Sequence, residues 1–168
     1  LSEYYPLFDE YYRVYSEKNT ELWSLYHHNR ISKETLIVER FRYPLQRVGA
    51  YNDKLVLQLN ADYLSVLSEQ GELVPQAREL LDYLKSRSYR LHIISNGFKE
   101  VQFKKMKSAG IENYFEKIIL SDEVGVNKPH PDIFRYALNK TGSSKNTSLM
   151  IGDNYDADIL GAMRSGLD

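Results

Sequence analysis

Cysteine is absent from the 168 residues, which excludes a disulfide framework, a thiolate metal site and a cysteine nucleophile. Long apolar runs are absent too, since nothing approaches the roughly 18 to 20 residues of a membrane span. Neither sign of charge is in excess: 22 basic side chains face 23 acidic ones, for a net charge of -1. The chain therefore exerts no general attraction on nucleic acid or anionic membrane, and only local patches remain to argue from. The first residues, Leu1-Ser2-Glu3-Tyr4-Tyr5-Pro6, lack the basic start and apolar stretch of a secretory signal. A soluble, cytoplasmic protein without a nucleic-acid or membrane partner is the expectation. What is present suffices for a core. At this length a folded chain buries roughly 70% of the surface its unfolded form exposes, so no metal or disulfide staple is needed.

Composition shifts along the chain. Nine of the 14 tyrosines and the only tryptophan, Trp23, precede residue 64, whereas most of the nine glycines follow residue 96. From Leu7 to about Ser68 the apolar residues recur at three and four, as in Leu7, Tyr11, Val14 and Tyr15, or Leu36, Ile37 and Phe41. Four short helices packed as a bundle are predicted, with a start near Ser32 and an end or kink at Pro44. The tyrosine-rich stripe reads as packing rather than as a special binding surface.

Past Val74 strands and helices alternate. Pro75 opens a helix carrying Ala77, Leu80, Leu81 and Leu84 on one face, and Tyr89 to Ile94 is a β-rich run. A helix over about 98–109 stops at Gly110, and Lys117 to Leu120 is a short buried-type strand. Pro131 starts a helix to about Lys140, Ser148 to Ile151 is a third strand, and Asp158 to Arg164 begins another helix. The fold class is therefore α/β: a Rossmann-like parallel sheet with helices on both faces, over residues 73–168, joined to an α-helical bundle over residues 1–72. In such sheets ligands bind beyond the carboxyl ends of the strands.

Three motifs sit at such ends. Ser95-Asn96-Gly97 follows the strand ending at Ile94; a hydroxyl, an amide and turn N–H groups can converge there on a phosphate oxygen. Taken alone, Asn-Gly after a strand is most often only a turn. Lys128 lies in Asn127-Lys128-Pro129-His130-Pro131, where two prolines stiffen the loop and let an ammonium point at one place. Gly152-Asp153-Asn154-Tyr155-Asp156-Ala157-Asp158 follows the strand ending at Ile151. Three carboxylates within six residues suit a hard divalent cation, although Asp156 or Asp158 could equally cap a helix.

Together and in this order the three resemble the second, third and fourth motifs of the haloacid dehalogenase (HAD) superfamily of phosphohydrolases. The resemblance covers about Val74 to Gly166, and the helical first half looks like the cap domain of such enzymes. Phe41-Arg42-Tyr43-Pro44-Leu45 and Leu149-Met150-Ile151-Gly152-Asp153-Asn154 are similar to the pyrimidine 5'-nucleotidase subfamily. The resemblance implies Mg²⁺-dependent attack by an aspartate on a small phosphorylated metabolite, and the subfamily likeness favours a nucleoside 5'-monophosphate. It makes Ser95 and Lys128 catalytic, assigns phosphate binding to Ser95, Asn96, Gly97 and Lys128, and assigns the metal to Asp153 and Asp158.

One departure matters. The first motif of that superfamily, an apolar strand ending in Asp-x-Asp that supplies nucleophile and acid/base, has no counterpart. The sole Asp-x-Asp, Asp156-Ala157-Asp158, opens a helix. The expectation is an internal fragment, inactive alone, whose strands at Ile94 and Ile151 either stand apart around a slot or pair directly with exposed apolar surface. Competing readings are a 2-haloacid dehalogenase, which needs no metal, and a non-catalytic HAD-like binding module. Clustered carboxylates disfavour the first, because they would repel an anionic substrate.

Overall fold

The computed structural model describes residues 7–168, so the amino-terminal hexapeptide read above for a secretory signal lies outside the described residues. Three helices occupy the first part, not four: α1 (Phe8–His27), α2 (Lys33–Arg47) and α3 (Asp53–Glu69). Their starts are written in short polar side chains. Ser32 Oγ accepts the Thr35 N–H at 3.2 Å, and Asn52 Oδ1 accepts the Lys54 N–H at 2.8 Å, each satisfying a donor that a helix start leaves free. Pro44 does not end α2 but lies inside it, fully buried. Only three residues remain after it, and the Val48 N–H still reaches the Pro44 carbonyl at 3.1 Å. The one backbone donor that proline lacks is offset by the burial of its ring.

Two compact units divide the chain after Ser65. In the first, Phe41, Leu45 and Val56 form a core with Tyr11, Tyr15 and Tyr63 packed around it. Arg40 is buried in the same place, 1% exposed. Its guanidinium stands 4.5 Å from the Tyr63 ring centre and 4.9 Å from that of Phe41, and Nη2 donates to Asn60 Oδ1 at 2.7 Å. No carboxylate pairs with it among the described residues. Burial lowers its pKa and pushes the Tyr11 phenol up to about 12, the response expected of groups moved out of water.

The second unit follows the predicted alternation with one strand fewer. It contains α4 (Ala77–Ser86), β1 (His92–Ser95), α5 (Lys99–Ser108), β2 (Lys117–Leu120), α6 (Ser121–Val124), α7 (Pro131–Thr141) and α8 (Gly161–Arg164). β1 and β2 pair in parallel, with Ile94 opposite Ile119 and Ser95 opposite Leu120. Ile119, Ile133, Phe134, Ala137, Ala162 and Leu167 form the core, where full burial of each large side chain contributes about 1.5–3 kcal/mol. Pro131 at the first turn of α7 and Gly142 in left-handed conformation at its end fix that helix at both termini.

The run Ser148 to Ile151 is extended but is not a strand. A strand exists through its ladder, and this segment makes none with β1 or β2; its Met150 N–H is donated to the Asp168 carbonyl at 2.8 Å instead. Leu149 and Ile151 are consequently 69% and 63% exposed. Nor does a regular helix begin at Asp158: Tyr155–Leu160 forms a wide π turn that leads into α8. No helix among the described residues is long and apolar enough to cross a membrane.

Candidate active site

β1 pairs with β2 along one edge only, and its other edge borders an open slot of about 1160 Å³. The segment Ser148 to Gly152, which is outside the sheet, also lines it. The two stretches that sequence reading placed on either side of a missing strand thus stand apart. The volume exceeds the ~300–1,000 Å³ of ordinary small-molecule pockets, and the walls carry apolar side chains: Leu80, Leu84, Ile93, Met150, Ile151 and Leu167 among them.

Ser95, Lys128, Asp153 and Asp158 all line this slot, and two of them, Lys128 and Asp158, are in direct contact. They arrive from four separate places: the last residue of β1, the loop before α7, the turn after Ile151, and the π turn. Lys128 is 8% exposed and Asp158 4%. The Lys128 ammonium donates to the Ile94 carbonyl at 2.7 Å and lies 2.6 Å from Asp158 Oδ1. The second contact is a meeting of charges rather than an aligned hydrogen bond, because Oδ1 accepts no bond of good direction. With three donors on the ammonium, one N–H remains for an anionic oxygen.

Asp158 is held from its other side as well. Oδ2 accepts the Asn154 N–H at 3.2 Å, while Asn154 Oδ1 caps the π turn by accepting the Ala157 N–H at 2.8 Å. Gly152 makes room for this: a Cβ there would stand 2.3 Å from Asp158 Oδ2, closer than any non-bonded contact allows. Ser95 Oγ accepts the Gly97 N–H at 3.0 Å, which closes the turn and leaves the hydroxyl hydrogen free to donate.

The remaining residues expected at the site are placed differently. Asn96 is buried, and both ends of its amide are used on Lys128: Nδ2 donates to the Lys128 carbonyl at 2.9 Å and Oδ1 accepts the Lys128 N–H at 2.8 Å. Gly97 spends its N–H on Ser95. Neither lines the slot. Of the acidic motif, Asp153 and Asp156 are exposed and only Asp158 turns inward, so the three carboxylates do not form one cluster. Among the described residues no group of three acidic, histidine or cysteine side chains could hold an ion. Asn154 was not singled out from sequence, although Asn three residues before Ala157 at a turn start is a recognisable capping signal.

Comparison with known proteins places this geometry in a family. Residues 8–168 match the family described as haloacid dehalogenase-like hydrolase. Pyrimidine 5'-nucleotidase YjjG of Escherichia coli (strain K12) is 32% identical over 159 residues, 94% of this chain and 68% of that protein. A glyceraldehyde 3-phosphate phosphatase of Methanothermobacter thermautotrophicus is 41% identical over 93 residues, 55% of this chain and 41% of its own length. The crystal structure of the HAD-hydrolase YfnB from Bacillus subtilis, bound to magnesium, superposes with a TM-score of 0.87 at 28% identity, covering 94% of this chain and 70% of that one. This chain therefore spans between 41% and 70% of the length of the three. With a match that runs from the first helix to the last residue, the chain belongs to the haloacid dehalogenase-like hydrolases.

Proposed function

We propose that the protein is a phosphomonoester hydrolase acting on a nucleoside 5'-monophosphate, and that the strand bearing its nucleophilic aspartate fills the slot beside β1. The observation that carries the reading is the buried Lys128 ammonium, fixed by Ile94 and Asp158 beside the open edge of β1, in a slot that Ser95 and Asp153 also line. An apolar strand inserted parallel to β1 would pair with its free edge, cover Leu149 and Ile151, and deliver its last side chains to those residues. The nucleotide assignment leans on the resemblance to pyrimidine 5'-nucleotidase. In this reading residues 1–72 are the cap domain and residues 73–168 the catalytic core.

The chemistry divides among named atoms. A carboxylate oxygen of the inserted strand attacks phosphorus, the ester oxygen leaves with a proton from an acid on the same strand, and water then cleaves the aspartyl-phosphate to inorganic phosphate. Lys128 faces the charge on the nucleophile and on the phosphoryl oxygens through its free N–H, and Ser95 donates its hydroxyl hydrogen to one of those oxygens. The donor set fits Mg²⁺ at Asp153, an exposed carboxylate lining the slot, because that ion keeps several waters and binds through one or two carboxylates. When bound it supplies positive charge opposite the phosphoryl oxygens. Asp158 is taken up by Lys128 and Asn154, and supports the site by holding the lysine.

The test is hydrolysis by the gene product containing these residues. Uridine 5'-monophosphate, glyceraldehyde 3-phosphate and 2-chloropropionate are offered with Mg²⁺ and with EDTA, beside the 168-residue chain alone. Metal-dependent phosphate release from the nucleotide by the former, and none by the latter, is expected. Turnover by the 168 residues alone would refute the missing-nucleophile reading, and metal-independent chloride release would replace the phosphatase with a dehalogenase.

A further inference from the structure

The Asn96 amide makes two hydrogen bonds to one residue 32 positions away, and both go to main-chain atoms of Lys128. This reciprocal pair is the geometry of a strand ladder, made here by a side chain. It ties the loop before α7 to the end of β1 at the place where the Lys128 side chain leaves the backbone. The same end of β1 also fixes the other extremity of that side chain, since the Ile94 carbonyl accepts the ammonium at 2.7 Å. Lysine carries four rotatable bonds, and an ammonium on so flexible a stem is placed only if its base and its tip are both fixed. β1 and the turn that follows it do both, through Asn96 at the base and Ile94 at the tip, while Asp158 completes the tip with charge.

A phosphate ligand would need a free amide hydrogen and access to the slot. Asn96 is 6% exposed and does not line the slot. One of its N–H bonds is committed to the Lys128 carbonyl, and its oxygen, an acceptor, would repel a phosphoryl oxygen. The geometry points to Asn96 as a positioning residue that sets the location of the Lys128 ammonium through the Lys128 backbone, and not as a phosphate ligand. The inference rests on the hydrolase reading given above for the reaction that Lys128 serves.

Two measurements on the gene product containing these residues test it. The first is amide hydrogen exchange of the wild-type protein. The Lys128 N–H, bonded to a buried side-chain acceptor, exchanges as slowly as the β1 amides, and in Asn96→Ala it becomes fast while Ile93 and Ile94 stay protected. Fast exchange of Lys128 in the wild type overturns the proposal without any variant. The second is steady-state kinetics with inorganic phosphate as the competing ligand. Asn96→Ala lowers kcat by about 100-fold, the scale of a misplacement near 1 Å, and weakens phosphate inhibition no more than Lys128→Ala does. In the Lys128→Ala background the same substitution has no further effect, because the group it positions is gone. A further loss of phosphate affinity, or an undiminished loss of kcat, when Asn96→Ala is added to Lys128→Ala makes Asn96 a ligand and overturns the proposal. Slow Lys128 exchange in a wild-type protein that hydrolyses no phosphomonoester refutes the hydrolase reading instead, and reduces the tether to a structural contact.

Discussion

Replacing Asp158 by asparagine is expected to destabilise the second unit by about 3 kcal/mol, the lower end of what breaking a buried ion pair costs. The size follows from the two oxygens. Oδ1 faces the Lys128 ammonium and Oδ2 accepts the Asn154 N–H, so both neighbours are donors. An asparagine keeps the shape but must set its NH₂ against one of them, whichever way the amide turns. Lys128 keeps the Ile94 carbonyl, which holds the loss near the lower limit. Gly152→Ala reaches the same pair from outside. Gly152 has no left-handed backbone angle, so alanine meets no conformational penalty, but its methyl would fall 2.3–2.5 Å from the Asp158 side chain and must push it off Lys128. A cost of similar size is expected, about 2–3 kcal/mol. In urea unfolding of the 168-residue chain followed by far-ultraviolet circular dichroism, each variant lowers the midpoint, with a fall in melting temperature of about 6–12 °C. The decisive comparison is the double change. Once Asp158 is alanine the new methyl has room, so Gly152→Ala should add less than about 0.5 kcal/mol to Asp158→Ala. Full additivity, or a Gly152→Ala protein as stable as wild type, would show that the pair is not packed against Gly152 and would refute the reasoning.

Arg40→Ala is expected to destabilise the helical unit by about 3 kcal/mol through the cavity left beneath Tyr63 and Phe41. Arg40→Met combined with Asn60→Leu should match wild type or exceed it, because a buried unpaired charge is replaced by packing of similar volume; Trp23 fluorescence on α1 reports the transition. His92 has both ring nitrogens buried without a hydrogen-bond partner, and burial lowers its pKa from 6.5, partly opposed by Glu116. The folded state then binds the proton less readily than the unfolded one, so stability is full above pH 6.5 and is lost as pH falls below it. The urea midpoint should drop between pH 7.5 and 5.5, and His92→Leu should flatten that drop. Asp153→Asn should abolish metal-dependent phosphate release by the gene product while leaving its melting temperature within about 1 °C, since an exposed carboxylate contributes little to folding.

The alternation of strands and helices after Val74, and the starts and stops at Ser32, Pro131 and Gly110, were legible because each depends on local chemistry. Gly110 and Gly142 both adopt the left-handed conformation that their positions demand. What sequence could not convey is direction in space. Gly152 to Asp158 reads as one acidic cluster, yet the π turn sends Asp158 inward to Lys128 and leaves Asp153 and Asp156 in solvent. Asn96 reads as a ligand because it follows a strand, and nothing local reveals that its amide meets a backbone 32 residues on. The Ser148–Ile151 run has the composition of a strand, but pairing is a property of two segments. The buried Arg40 did leave a trace, since Leu36, Arg40 and Pro44 recur at four along the inward side of α2, and a cation in that series marks a place where burial and charge conflict.

The slot bears on stability as directly as on chemistry. Leu149 and Ile151 are 69% and 63% exposed, and β1 has hydrogen-bonding groups along its open edge. A strand inserted there would recover most of the roughly 1.5–3 kcal/mol that burying each of the two side chains is worth, together with a ladder on both of its sides. In the proposed reading the segment that brings the nucleophile would also be the centre of the fold, its aspartate located by the packing that completes the sheet. In that reading, adding an apolar strand ending in Asp-x-Asp to the 168-residue chain, with its aspartates replaced by asparagine so that no chemistry can contribute, should raise the urea midpoint of the second unit and protect the amides of Ser148 to Ile151 from exchange. A strand that restores neither would mean that the slot is filled by something else, and the catalytic assignment of Lys128 and Ser95 would fall with it.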